Sequence, residues 1–234
     1  MSSIRDSGRL VVLASGGGSN FQALLDHFGT DHAPGPANEL RVAGLIVSSA
    51  GAGAIGRAER AGTDHEVLPP ADDPEHGPRL EAALLRWDPD LVVLAGYLLK
   101  VPASTVREFR GRMINTHPAL LPAFGGRGMY GTHVHRAVIE AGVTLSGVTV
   151  HFVTEEYDRG PAVVQWPVPV MAGDSPEDLA ARVLRVEHQL LPLAAAAVAS
   201  GSVALVSGGS VRRQGKFSVT GGFPLRSPWT VDAN

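Results

Sequence analysis

Cysteine is absent from the 234 residues, and with it go disulfide scaffolds, thiolate zinc sites, iron–sulfur clusters and cysteine nucleophiles. The absence suits a reducing cytosol. Missing too is any run of five like charges. Lysine plus arginine (20) against aspartate plus glutamate (23) leaves a net charge of -3, so nucleic-acid binding, which depends on clustered positive charge, is not expected. Nor is there a long apolar run. Only Leu10 to Ala14 follow the polar first residues, too few for a signal-peptide core. The longest stretch, Leu190 to Ala199, is interrupted by Pro192 and falls far short of the roughly 20 residues a membrane span needs. Together these absences imply a soluble cytoplasmic protein with no membrane partner.

What remains is a globular chain with many turns. Its 28 glycines and 17 prolines are about a fifth of the residues, below the roughly 25–30% of low-complexity sequence. A chain of this length buries about 70–75% of its unfolded surface and needs no metal or disulfide to fold. Positions 1–234 are read as one domain, with a core over about 9–200 and a C-terminal hairpin and tail over 201–234. Short continuous apolar runs alternate with segments of helical period, which predicts an α/β fold: a Rossmann-like, doubly wound, mostly parallel sheet. Strands are expected at Leu10 to Ala14, Arg41 to Ser49, EVLP, Asp90 to Gly96 and up to His117. Helices are expected at Phe21 to Phe28, Gly53 to Gly62, Pro78 to Trp87 and about Val134 to Ala141. SGVTVHFVT and PAVVQWPVPV lie one loop apart and predict an antiparallel edge. Ser175, with Pro176 after it, opens a long final helix, and Gly208 and Gly209 mark a hairpin in the tail.

Ligands of open α/β sheets bind beyond the carboxyl ends of the strands. SGGGSN (Ser15 to Asn20) stands there, where helix-start amides with Ser19 and Asn20 could cradle a phosphate, or where three glycines could simply make a tight turn. No Lys-Ser/Thr follows, so the motif is not a Walker A loop. The dinucleotide pattern is incomplete as well, since the third glycine and the acidic residue ending the second strand are missing. Asn115 and His117, in INTHP, fall on one side of a strand end. An amide donor beside an imidazole suits acyl transfer to an amine; a strand-ending Asn beside a structural His is the alternative. Asp158 precedes Arg159-Gly160-Pro161 and reads either as a turn residue or as a partner that would raise the His117 pKa. His133 and His135 lack a third ligand at clear spacing and read as loop packing or substrate contacts rather than a metal site. Glu187 and His188 read as a solvated helix face, and Trp87 and Trp166 as core or interface aromatics.

In order from about Leu10 to Leu193, the segments SGGGSN, VVLAGYLLKV, INTHPALLPAFGG, GVTVHFVTEEYDRGP and RVEHQLLPL resemble the phosphoribosylglycinamide formyltransferases, folate-dependent enzymes of purine synthesis. The resemblance implies a formyltransferase-like fold. It also implies transfer of a formyl group from 10-formyltetrahydrofolate, as co-substrate, to the glycyl amine of glycinamide ribonucleotide, with no metal. By resemblance Asn115, His117 and Asp158 are catalytic, with Asp158 keeping His117 charged. Gly18, Ser19 and Asn20 would hold the ribonucleotide phosphate, and Glu187 would contact the ribonucleotide, which displaces its solvated-face reading. Leu98, Leu99, Lys100, Val101, Thr154, Glu155, Glu156 and Tyr157 would border the folate. An arginine that the family usually places before the helix preceding VVLAG has no counterpart in register, Arg79 being the only one nearby, and the resemblance assigns no role to Met129 or Tyr130. A formyltetrahydrofolate hydrolase would share the folate residues but usually carries an added N-terminal domain. A methionyl-tRNA formyltransferase would need a basic surface and a further C-terminal domain, and a non-catalytic nucleotide-binding regulator would keep SGGGSN alone. The Leu and Val content of the edge strand and the long helix allows a homodimer.

Overall fold

The structure, a computed structural model, describes residues 8–33, 35, 37 and 40–214. Residues of β1 (Gly8–Ala14) alternate between two apolar layers: Leu10, Val12 and Ala14 enter one, Val11 and Leu13 the other. That double burial is why the segment reads as a continuous apolar run, and it requires helices on both faces. On one face lie α1 (Ser19–Phe28), α2 (Ala54–Ala61), α5 (Thr132–Glu140) and α6 (Pro176–Ala199). On the other lie α3 (His76–Trp87) and α4 (Ala103–Glu108). The remaining strands of the main sheet are β2 (Leu40–Val47), β3 (His65–Val67), β4 (Leu91–Leu94), β5 (Met113–His117), β6 (Leu145–Phe152) and β7 (Ala162–Pro169).

Their order is β3-β2-β1-β4-β5-β6-β7. The chain winds outward from β1 to β3 and returns to β4 beside β1, so the crossover direction reverses between β1 and β4, and that crevice is where such sheets bind ligands. Strands β1 to β5 pair in parallel, while β6 and β7 pair antiparallel at the edge. The expected architecture, antiparallel edge included, is the one observed. A separate antiparallel pair, β8 (Val203–Leu205) and β9 (Val211–Arg213), turns through Gly208 and Gly209. Arg213 ties this hairpin to β7, donating to the Ala162 carbonyl at 2.8 Å. The tail expected beyond it lies outside the described residues.

Differences from expectation are confined to element ends. Helix α3 begins two residues before Pro78, which the first turn tolerates because a proline there lacks only an amide that would have no helical partner. Strand β3 sits slightly earlier than EVLP, with the Leu68 amide extending its pairing to Val47. Among the described residues no helix is long and apolar enough to cross a membrane. Trp87 and Trp166 pack against the two cores. The long helix starts at a reciprocal cap: Ser175 Oγ accepts from the Asp178 amide at 3.1 Å, and the Asp178 carboxylate accepts from the Ser175 amide at 3.0 Å. Ser175→Ala is expected to cost about 1 kcal/mol, lowering Tm by roughly 2–4 °C for a chain of this size; thermal unfolding followed by circular dichroism checks it.

Candidate active site

The carboxyl end of β5 opens into a cleft of about 700 Å³. Parity places its side chains. Met113 faces the core beneath α3 and α4, so Asn115 and His117 point to that side, whereas Ile114 and Thr116 face α6. Antiparallel β6 sets His151 directly opposite Asn115 and Thr149 opposite His117. Thr149 pins the segment that follows β5, accepting from the Leu121 amide at 3.0 Å and donating to the Ala119 carbonyl at 2.7 Å. Gln165 on β7 adds a bond to the Leu121 carbonyl at 2.8 Å. Thus anchored, the segment brings the Phe124 carbonyl to 2.8 Å from His117 Nε2 and the Gly126 amide to 2.9 Å from Asp158 Oδ2. The close approach needs glycine at 125, where a Cβ would collide with Leu121 and stand 3.2 Å from Asp158 Cβ. Phe124 and Asp158 both have left-handed backbone, at φ 54° and 52°. Such strain is tolerable for aspartate, is costlier for phenylalanine, and is typical of functional sites.

The 40 residues between His117 and Asp158 are closed by this geometry. Asp158 sits between two imidazoles, 3.6 Å from His117 Nδ1 through Oδ2 and 3.6 Å from His151 Nε2 through Oδ1. A carbonyl can only accept, so the Phe124 contact puts a proton on His117 Nε2 and the Phe152 carbonyl, 2.9 Å from His151 Nδ1, puts one there. His151 Nε2 is then the acceptor for the Asn115 amide at 3.1 Å. This leaves the second Asn115 N–H for a ligand. One expectation needs correction: Asp158 does not hold His117 as a standing imidazolium. Burial lowers the His117 pKa, and the opposing pull of Asp158 and the Phe124 carbonyl does not restore it, with His151 lowering it further. Asp158 itself falls below the ordinary aspartate value. Burial would raise it, but the His151 contact, the Gly126 amide and the two imidazoles together outweigh that.

Glu187 is not a solvated residue. It is 7% exposed on α6 and faces the same cleft. Thr116 Oγ1 donates to it at 2.9 Å. Burial pushes its pKa up to about 6, against the pull of hydrogen bonds from Thr116 and Asn20. Asn20 is buried in the cleft wall with its Oδ1 lacking a partner. The cleft is also walled by Leu98, Leu99, Lys100 and Val101 after β4, and by Thr154, Glu155, Glu156 and Tyr157 after β6. Two contacts link these walls at the rim: Arg107 to Glu155 at 3.0 Å, and Lys100 over the Tyr157 ring at 5.9 Å. Of the residues given a catalytic, ribonucleotide or folate role by resemblance, only Gly18 and Ser19 lie outside the cleft lining, Ser19 facing a neighbouring hollow between α1 and α6.

Sequence reasoning missed His151, whose signal was a histidine within a strand of otherwise apolar and small residues. It also left Met129 and Tyr130 without a place, and both line the cleft. His133 and His135 diverge, the first exposed and the second buried in the cleft wall with Nδ1 unpartnered. Arg79 pairs loosely with Glu66 at 4.0 Å and is not part of the lining. The Glu187 shift has a stability consequence. Its folded pKa exceeds the unfolded value, so the native state binds the extra proton and stability falls as pH rises from about 4.5 to about 6. Glu187→Gln removes that loss, and the new amide can donate to Asn20 Oδ1. Chemical denaturation is expected to show this variant more stable than the parent by about 2 kcal/mol at pH 8 and indistinguishable from it at pH 4.

Comparison with known proteins supplies the family. Residues 8–195 match the formyl transferase family. The chloroplastic phosphoribosylglycinamide formyltransferase of Arabidopsis thaliana is 44% identical over 186 residues, covering 78% of this chain and 62% of the relative. The chain thus spans less than two thirds of that relative's length. Phosphoribosylglycinamide formyltransferase of Escherichia coli K12 is 38% identical over 195 residues, which cover 82% of this chain and 87% of the relative. Crystalline glycinamide ribonucleotide transformylase 1 from Symbiobacterium toebii superposes with a TM-score of 0.79 at 38% identity, over 90% of this chain and 95% of its own. With the family match spanning most of the sequence and the conserved architecture behind it, the chain belongs to the formyl transferase family.

Proposed function

We propose that the protein transfers the formyl group of 10-formyltetrahydrofolate to the glycyl amine of glycinamide ribonucleotide, acting as a single formyltransferase domain in purine synthesis. The observation that carries this reading is that one cleft gathers Asn115, His117 and Asp158, both loops bordering the folate by resemblance, and Asn20 with Glu187 for the ribonucleotide. The named relatives support the transferase over the hydrolase.

An α-amine has a pKa of about 7.7–8.0, so a useful fraction of the glycyl nitrogen is neutral at pH 7 and needs no strong base. It attacks the formyl carbon, a carbon–nitrogen bond forms, and negative charge develops on the formyl oxygen. The free N–H of Asn115 donates to that oxygen. Neutral His117 takes the proton that the amine must lose on Nδ1, beside Asp158, and the resulting imidazolium is stabilised by that carboxylate. The same proton then passes to the folate nitrogen as its bond to the formyl carbon breaks. Asp158 is thereby assigned to the charged state of His117 that forms during the reaction rather than to the resting one.

Release of tetrahydrofolate, followed by absorbance, is expected only when glycinamide ribonucleotide is present. Release without it would mean a hydrolase, and no release would mean a binding protein. Asn115→Ala is expected to fold and lose about a hundred- to a thousandfold in turnover; near-normal turnover would remove the residue from the mechanism. Asp158→Asn keeps a residue that tolerates left-handed backbone but withdraws the carboxylate that raises the His117 pKa. The acid limb of its pH–rate profile is therefore expected at lower pH than in the parent, and an unmoved limb would break the assigned pairing.

A further inference from the structure

The glycine loop has its carbonyls bonded and its amides free. Gly16 O accepts from the Ala54 amide at 3.1 Å and Gly18 O from the Gln22 amide at 2.9 Å. Gly17 O accepts from Arg57 Nε at 2.8 Å. Among the described residues, the amides of Gly16, Gly17, Gly18, Ser19 and Asn20 have no protein acceptor. An anion approaching the loop meets donors only while each carbonyl stays where it is bonded.

The Gly17–Gly18 peptide is the vulnerable one. A Cβ at Gly17 would touch nothing within 4 Å, so no side chain locks that residue although Gly53 packs against its Cα, and glycine has the freedom to let the peptide flip. A flip would put a carbonyl where the Gly18 amide now points. On the other side Gly18 is fixed by left-handed backbone at φ 71° and by Ala54, whose Cβ would lie 2.6 Å from a Cβ there. The hydrogen bond that holds the Gly17 carbonyl in place comes from the Arg57 guanidinium. It reaches from α2 and is itself steadied by Gln22 Oε1 on α1, 3.2 Å from Nη1. Arg57 lines the hollow beside Ser19 and His188. His188, beside it on α6, has its pKa lowered by burial first and then by the Arg57 charge.

We propose that Arg57 is a positioning residue for the phosphate end of the substrate: it locks the Gly17–Gly18 peptide so that the loop presents amides to a phosphomonoester. The proposal rests on the formyl-transfer reading. It separates the two substrates, because the folate segments lie elsewhere on the cleft.

Steady-state kinetics of the full chain test it, with ribose 5-phosphate as a competing probe. In Arg57→Ala the KM for the ribonucleotide is expected to rise about tenfold or more, the loss typical of a hydrogen-bonded charge contact. Inhibition by ribose 5-phosphate weakens by a similar factor, while kcat and the KM for formyl folate stay within about twofold. Unchanged ribonucleotide KM and unchanged inhibition would overturn the proposal alone, as would an equal loss for both substrates with a lowered Tm, the mark of a merely structural role. A parent enzyme without ribonucleotide-dependent transfer would overturn the functional reading and the proposal with it. Should Arg57→Ala not fold, Gln22→Ala, which releases one arm of the guanidinium, must move the same two readings in the same direction.

Discussion

Asn115 and His151 face each other because β6 runs antiparallel to β5, and the chemistry of the cleft hangs on that pairing. Running antiparallel, β6 starts beside the carboxyl end of β5 and leaves toward its amino end, so the segment after Phe152 must turn back to bring Asp158 to His117 and His151. Here β6 delivers His151 to the site and, within a few residues, Asp158. The same strand supplies Thr149, which fastens the segment bearing Phe124 and Gly126. Gly160 completes the turn, where a Cβ would strike the Phe152 carbonyl. The antiparallel pairing sets His151 beside Asn115, and the tight turn after it returns Asp158 to both imidazoles.

Two carboxylates in this cleft are driven in opposite directions by their surroundings. Both are desolvated, which alone would raise both. Asp158 has an amide and two imidazoles against it and falls below the ordinary value, whereas Glu187 has only neutral donors, Thr116 and Asn20, and rises to about 6. Environments that push like groups apart are how one site assigns different tasks to them. Asp158 remains an anion to receive a positive partner. Glu187 stands near its ionisation point, charged at neutral pH at a cost in stability and able to accept hydrogen bonds from a ligand's hydroxyl groups.

Much of this was legible in residue order. LVVLA and DLVVLAG announced central strands because double burial removes polar alternation, and SGVTVHFVT with PAVVQWPVPV announced the antiparallel edge. The strand end at Asn115 and His117 could be placed on one face by parity alone. Contact between His117 and Asp158 could not, since sequence separation carries no distance. The electrostatics were legible in part: a carboxylate near His117 does raise its pKa, but how deeply the ring is buried is a property of the packed loop, and burial wins. Met129 and Tyr130 had no motif to mark them and acquire a place only when Thr149 and Gln165 anchor the segment ahead of them. Glu187 looked solvated from helical context and proved buried because Thr116, on the opposite side of β5 from Asn115 and His117, meets it.

The crevice between β1 and β4 gives these parts their arrangement. The Ser15 amide donates to the Gly96 carbonyl at 3.0 Å, and Ser15 Oγ accepts from the Leu98 amide at 3.0 Å. These bonds join the glycine loop directly to the Leu98–Val101 segment, proposed to border the folate. Ser48 at the end of β2 donates to Ser15 Oγ at 2.7 Å, filling the place where a dinucleotide site would carry an acidic residue. Three strand ends thus share one hydroxyl. The consequence is a rigid floor between two regions of unlike chemistry: unpaired amides with buried Asn20 and Glu187 on one side, Leu98, Leu99 and Val101 with Lys100 among them on the other. The transfer proposed above, between a phosphorylated amine and a formyl donor, calls for such a floor, and the carboxyl end of β5, next in the sheet to β4, is where the two regions meet.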